Sequence, residues 1–451
     1  MQLNEQISAI DSPWFGKSFT DPEMRRIFSS YRYIEHCIDV EVALAKAQAR
    51  LGLIPTSAAE GIENSVEVAG LNFERLQHET DIVGYPILPL VEQLSAMCGD
   101  AGRYLHWGAT TQDIMDTAII LQVREGLALI DARLSSLKAT LGRLAKEHRD
   151  TVMAGRTHLQ HALPITFGYK AAVWLSSLER HIERLEQLRE RVLIGQFSGA
   201  AGTLASLGES GLEVQEALMK ELELKTPSIT WHSARDTVTE VVQFLAMVNG
   251  SLAKIACDVS IMMMTEIGEV SEPFVRHRGA SSTMPQKQNP VACELILASA
   301  KVVRQHAGLM LDAMVHDFER ATGPWHLEWF AIPESFGLTS GSLSQSVHML
   351  DGLVVDKANM KRNLDMSKGL IVSESVMMAL APEIGRKPAH DLVYLACRKS
   401  IETGQPLLEI LIKMPEVTDT LTTERLTWLL DPANYVGTAP QMVDRMVASH
   451  E

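Results

Sequence analysis

The sequence predicts an all-α protein built around a long central helix bundle, and three observations carry that prediction. Leu127, Ile130, Leu134, Leu137, Leu141 and Leu144 recur at alternating steps of three and four. That spacing puts them on one stripe of a helix, with Asp131, Arg133, Lys138 and Arg143 off it. Leu178, Ile182, Leu185, Leu188 and Val192 repeat the pattern, and Glu179, Arg180, Glu183 and Arg184 fall outside it. The stretch from Val241 to Met264 is apolar nearly all round, the pattern of a helix buried on every side, whose methionines pack rather than bind. Long alternating strand patterns are absent, and no internal repeat marks a solenoid.

Length sets the scale of this bundle. A chain of 451 residues corresponds to about three domains at roughly 150 residues each. Pro and Gly cluster at DSPWFGK near the start, VGYPILP at 83–89, SGAAGTLASLG at 198–208 and GRKP at 385–388. The expected divisions are an N-terminal helical domain over 1–109, a central long-helix bundle over 110–356 and a C-terminal helical domain over 357–451.

Charge and composition exclude several function classes. There are 56 Asp and Glu against 41 Lys and Arg, a formal charge of −15, so the clustered basic surface that nucleic acid demands is not expected. Nor is there a polybasic segment for an anionic membrane. No apolar run is expected to reach the length of about 20 residues that a membrane span needs. MQLNEQISAIDSPWFGK lacks the basic start and apolar core of a secretory signal. Cys37, Cys98, Cys257, Cys293 and Cys397 are odd in number and form no CxxC pair, so free, mostly buried thiols and a cytoplasmic setting are expected.

Three polar loops run into long helices. In the first, His106-Trp107-Gly108-Ala109-Thr110-Thr111-Gln112-Asp113, hydroxyls sit where free backbone N–H groups begin a helix, a geometry suited to a carboxylate. Taken alone, ordinary capping by Thr110, Thr111 or Asp113 is the plainer account. The second is Gly155-Arg156-Thr157-His158-Leu159-Gln160-His161, with Pro164 ahead of the next helix. Its two histidines lack a nearby third ligand, so no metal is indicated. The third, Gly279 to Pro290, precedes VACELILASAKVV. Asn289 as N-cap and Pro290 in the first turn predict a helix start, and Lys287 beside that positive end predicts an anion site. The upstream SEPFVRHRGASS has the composition of a mobile lid that brings Ser281 to a substrate.

At this third loop a resemblance emerges. SSTMPQKQNP resembles the GSSxMPxKxNP signature of the fumarase/aspartase superfamily, HWGATTQD resembles its TSxD region, and GRTHLQHALPITFG its THxQ region. The three occur in the family's order and spacing, and the resemblance covers essentially the whole chain. It implies an all-α, three-domain subunit in a homotetramer whose active sites are shared between subunits, acting on a small polycarboxylate without a metal or organic cofactor. It also implies that Ser281 removes the proton next to a carboxylate. Its oxyanion would need loop backbone donors and a cation such as Lys287. Lys287 and Asn289 match positions that stabilise the doubly charged intermediate, Thr110, Thr111 and Gln160 match carboxylate-binding positions, and His158 matches the histidine that protonates the leaving group. His106, Arg320 and His326 are further candidates to line the pocket. Ala280 stands where the pattern has Gly, and Thr111 where it has Ser.

Two branches compete within that family. VMAGRTHLQHALPITFG is similar to adenylosuccinate lyase, but Ser18-Phe19 replaces its Arg-Tyr pair, and ERATGPWHLEW replaces its polar ERDxSHSSxER run. ERATGPWHLEW, FTDPEMRRIFS, QFSGAAGTLASLG, RNLDMSKGL and LLDPANYVG instead resemble the bacterial 3-carboxy-cis,cis-muconate cycloisomerases. Those enzymes carry Trp at His158 and His-Lys-Arg at Gln286-Lys287-Gln288. The expected activity is therefore a β-elimination that cleaves the C–N bond of an N-substituted aspartate to release fumarate. The alternatives are lactonising cycloisomerisation and a non-catalytic, crystallin-like tetramer.

Overall fold

The computed structural model describes residues 7–320 and 322–448. Ala321 of the ERATGPWHLEW segment and the first six residues of the N-terminal stretch lie outside them. Helices hold 68% of the chain, so the all-α class stands. Contacts divide the protein into two compact units interleaved along the sequence. The first comprises Met1–Leu134, His181–Leu252 and Leu295–Ser344; the second comprises Ser135–Arg180, Ala253–Glu294 and Gln345–Glu451.

Six long helices carry the architecture: α1 (Ser30–Arg50), α2 (Thr111–Glu147), α3 (Phe167–Val192), α4 (Asp236–Met262), α5 (Val291–Ala313) and α6 (Pro324–Asp351). Ser29 starts α1 by accepting the Arg32 N–H at 3.1 Å. The predicted stripe of α2, from Leu127 to Leu144, is buried at every position. Each such side chain contributes about 1.5–3 kcal/mol relative to exposure. On α3, Leu178, Leu185, Leu188 and Val192 are buried, but Ile182 is only half-buried. The neighbouring His181 takes the interior place, with its Nε2 2.8 Å from the Ser251 hydroxyl.

Helix α4, which takes in the apolar stretch from Val241 as far as Met262, is not covered on every side. Less than half of its most apolar 18-residue window is buried within the chain, and Met247 is exposed. By length and composition alone it reaches the limit of a membrane span, which corrects the expectation that no such run exists. The periodicity that marks amphipathic helices carries no signal here, because a uniformly apolar surface does not say which side has a partner.

The second unit contains a β-hairpin that lacks a strand signature. Strands β1 (Val152–Thr157) and β2 (Gln160–Thr166) pair antiparallel, with Thr157 opposite Gln160. A bulge separates Ala154 from Arg156, and Gly155 sits in it because a Cβ there would lie 2.6 Å from the Leu163 carbonyl oxygen. Near the C-terminus, α7 (Ser373–Ile384) and α8 (Arg386–Thr403) meet at Gly385, whose φ is 89°. Val376, Leu380, Val393, Leu407, Ile410 and Leu426 form part of their core.

Candidate active site

The first unit holds the loop that opens α2. His106 adopts φ 58°, and its Nδ1 lies 2.6 Å from Oε1 of Glu41, a fully buried residue of α1. Its backbone N–H donates to the other Glu41 oxygen at 3.1 Å. Burial opposes charge on this imidazole, but the hydrogen bond and the charge of Glu41 outweigh it and raise its pKa. His106 is thus committed to an internal carboxylate.

Asp113 organises the rest of the loop. Its buried carboxylate accepts the Thr110 N–H at 3.0 Å and the Ser198 and Gly199 N–H groups at 2.9 Å each, with His232 Nε2 at 2.8 Å. The small-residue segment at 198–208 is therefore pinned to the start of α2. Arg320 reaches the same place, donating to the Thr110 hydroxyl at 3.3 Å and to the Ala200 carbonyl at 3.0 Å. Thr111 is the first residue of α2. His326 lies in the first turn of α6, its Nδ1 3.3 Å from the Gly323 carbonyl and its ring against Trp329, with centroids 4.4 Å apart.

Behind this loop stands a charged network that sequence reasoning missed. Arg235, fully buried, is bidentate to Asp116 at 2.8 and 2.9 Å and to Glu328 at 2.8 and 2.6 Å. Trp325 Nε1 adds a bond to Asp116 at 3.2 Å. Burial works against the guanidinium, but two carboxylates hold it charged, while burial pushes the Glu328 carboxyl up. The one signal available was Asp113 and Asp116 at i and i+3 on the opening turns of α2, a spacing that points both inward.

The second unit presents His158, Leu159 and Gln160 at the tip of the hairpin. His158 and Leu159 form its two-residue turn with φ of 50° and 63°, values disfavoured for both side chains. All three are exposed. Below them Arg156 is bidentate to Glu269 at 2.9 and 2.7 Å, and Asn363 donates to the same buried carboxylate at 2.9 Å. Burial and the neighbouring Arg156 lower the pKa of His161.

Ser281, Lys287 and Asn289 share one loop. Gly279 takes φ 71°, and its carbonyl accepts the Asn289 N–H at 2.9 Å. Ala280 and Gln288 pair one step further in. The left-handed position is thus Gly279, and Ala280 needs no glycine freedom. Within this neck, Ser281 Oγ accepts the Thr283 N–H at 3.3 Å and the Met284 N–H at 3.1 Å. These are two aligned donors that favour negative charge on the oxygen. Lys287 is exposed on the same loop.

The start of α5 differs from expectation. The helix begins at Val291, and the Ala292 and Cys293 N–H groups donate to buried Glu272 at 3.2 and 3.0 Å. An internal carboxylate already fills the anion site predicted for that helix end, because desolvating Glu272 demands those donors.

Comparisons agree with these observations. A family model described as lyase matches residues 17–304, and one described as adenylosuccinate lyase C-terminus matches 369–446. The chain is 46% identical to trans-aconitate decarboxylase 1 of Mycosarcoma maydis, covering 95% of this chain and 87% of that one. It is 39% identical to N-acetyl-S-(2-succino)cysteine lyase of Dickeya dadantii, covering 97% and 96%. Among solved structures, fumarate lyase from Mesorhizobium sp. BNC1 is 60% identical, with a TM-score of 0.91 over 97% of this chain and 100% of that one. The 3-carboxy-cis,cis-muconate lactonizing enzyme of Pseudomonas putida is 42% identical, with a TM-score of 0.93 over 97% and 98%. With helical fold, sequence and signature loops in agreement, the chain belongs to the fumarase/aspartase superfamily and is an enzyme of its lyase and cycloisomerase class.

Proposed function

We propose that the protein is a β-eliminating lyase of a succinyl-type di- or tricarboxylate. The environment of Ser281 carries this reading: two backbone N–H groups converge on the hydroxyl oxygen, which lowers the cost of its alkoxide. Ser281 takes the Cβ proton, the Cβ–H electrons form the new double bond, and the bond from Cα to the leaving atom breaks to give fumarate. The leaving group takes a proton from His158, directly or through water. Thr110, Thr111, Gln160, Lys287, Asn289, Arg320 and His326 are proposed to hold the carboxylates, and His106, paired with buried Glu41, to hold the loop that carries Thr110.

Nitrogen is the leaving atom of our first choice, an N-substituted aspartate. The likeness to a lyase named for a succinylated cysteine makes sulfur its equal in the test. A second reading, cycloisomerisation of 3-carboxy-cis,cis-muconate, is favoured by the likeness to the Pseudomonas putida lactonizing enzyme. The experiment offers N-substituted aspartates, S-succinyl thiols and the muconate separately and follows fumarate by ultraviolet absorbance. Fumarate from a succinyl compound is the expected result, and lactone without fumarate from any of them would falsify elimination.

We further infer that copies of the chain assemble, as a homotetramer, to complete the site. The exposed His158-Leu159-Gln160 tip and the exposed face of α4 at Met247, Gly250 and Cys257 support this. The cytoplasm is the proposed compartment, on composition and five free cysteines.

A further inference from the structure

The first unit contains a cavity of about 330 Å³, within the range of small-molecule sites. Its walls come from Phe28 and Tyr33, from Met115 and Ile119 of α2, and from Trp325 and Trp329 of α6. Two helix faces connect it to the candidate residues. Thr111, Met115 and Ile119 follow one another at steps of four, so the wall begins one turn below the proposed carboxylate-binding threonine. On α6, Trp329 lines the cavity and also packs against the His326 ring.

The chemistry of the lining is decided by what its polar groups already do. All four oxygens of Asp116 and Glu328 accept from Arg235, and one also accepts from Trp325. The Gln122 amide donates to the Ile27 carbonyl at 2.7 Å, and the Thr80 hydroxyl to the Leu76 carbonyl at 2.7 Å. The Ser29 hydroxyl donates to the Arg26 carbonyl at 2.8 Å. These groups are spent internally; the Ser30 hydroxyl and the Phe, Tyr, Trp, Met and Ile side chains remain to face a guest, so apolar surface dominates. Pro333, also in the wall, has no N–H for the Trp329 carbonyl, which interrupts the hydrogen-bond ladder of α6 beside the cavity.

We infer that this cavity is the specificity pocket for an uncharged, ring-sized apolar substituent carried by the substrate's leaving group. The inference rests on the succinyl reading above and narrows it: the preferred substrate is a succinyl compound whose N- or S-substituent is aromatic or branched. A dry apolar cavity of about 150 Å³ already accepts benzene, so the volume here holds one ring with room for its tether.

Binding of three probes to the intact protein tests it, with tryptophan fluorescence as the readout because Trp325 and Trp329 form the wall. Benzylsuccinate is expected to bind about tenfold or more tighter than succinate, as the burial of a ring demands. Benzyl alcohol alone is expected to bind measurably. Ile119→Trp, which fills the cavity, should remove both effects and leave succinate unchanged; the smaller Ile119→Phe serves if the first variant does not fold. Equal affinity for benzylsuccinate and succinate in the wild type overturns the pocket, as does a benzyl alcohol signal indifferent to the filled variants. Failure of succinate to bind while benzyl alcohol does would instead sink the succinyl reading and leave the pocket standing.

Discussion

Asp113 shows how much one buried carboxylate can organise. Three backbone N–H groups and His232 converge on it, so Asp113→Ala strands four donors at once. A loss of about 3–5 kcal/mol is expected in urea unfolding, the magnitude for breaking a buried charged network. His106 sets a pH dependence. Its pKa is raised in the folded protein, so the stability it adds is fully present below its unfolded value of about 6.5 and fades as pH rises through the folded value. The difference in Tm between wild type and Glu41→Gln should therefore be largest on the acidic side of neutrality and shrink above it. A difference that instead grew with pH would contradict the pairing. Ser281→Ala is expected to cut turnover by about a thousandfold without changing Tm, since the side chain sits half-buried on a loop and supports no core. Motif spacing made Ser281 and Lys287 readable, whereas Arg235, Asp116 and Glu328 were not, because a buried ion network has no period along the chain.

Among the elements, those with a repeating apolar face were predictable. The α2 stripe matches residue for residue, since a 3.6-residue period admits one buried side. The hairpin over β1 and β2 carries no legible strand signal, because VMAGRTHLQHALPIT neither alternates nor places Gly or Asn at its turn. His158 and Leu159 take that turn against their preference, and Arg156 with Glu269 holds the strands beneath it. Leu159→Gly should accordingly raise stability by up to about 1 kcal/mol by relieving the left-handed backbone. Arg156→Leu should cost about 3–5 kcal/mol by abandoning the Glu269 charge in the interior. Chemical unfolding of the two variants checks both signs.

For the whole molecule, sequence placed the chain in its superfamily but did not show which apolar surfaces lack a partner within one chain. The uncovered surface of α4 is where assembly is expected to show. Met247→Lys should shift the protein toward smaller species in sedimentation velocity, and an unchanged distribution would remove α4 from the interface. The proposed division near residues 110 and 356 follows breaks along the chain. The two compact units instead follow packing, which cuts through the long helices.

The closed neck of the Ser281 loop has a further consequence, for covalent continuity. Gly279 is tied to Asn289 and Ala280 to Gln288, so residues 281–287 form a ring whose ends are held together by backbone bonds. A single cut inside that ring leaves both new ends tethered to the body. The chain there can be severed, or its termini relocated, at little cost to the fold, while Ser281 loses the taut segment that aims two amides at its oxygen.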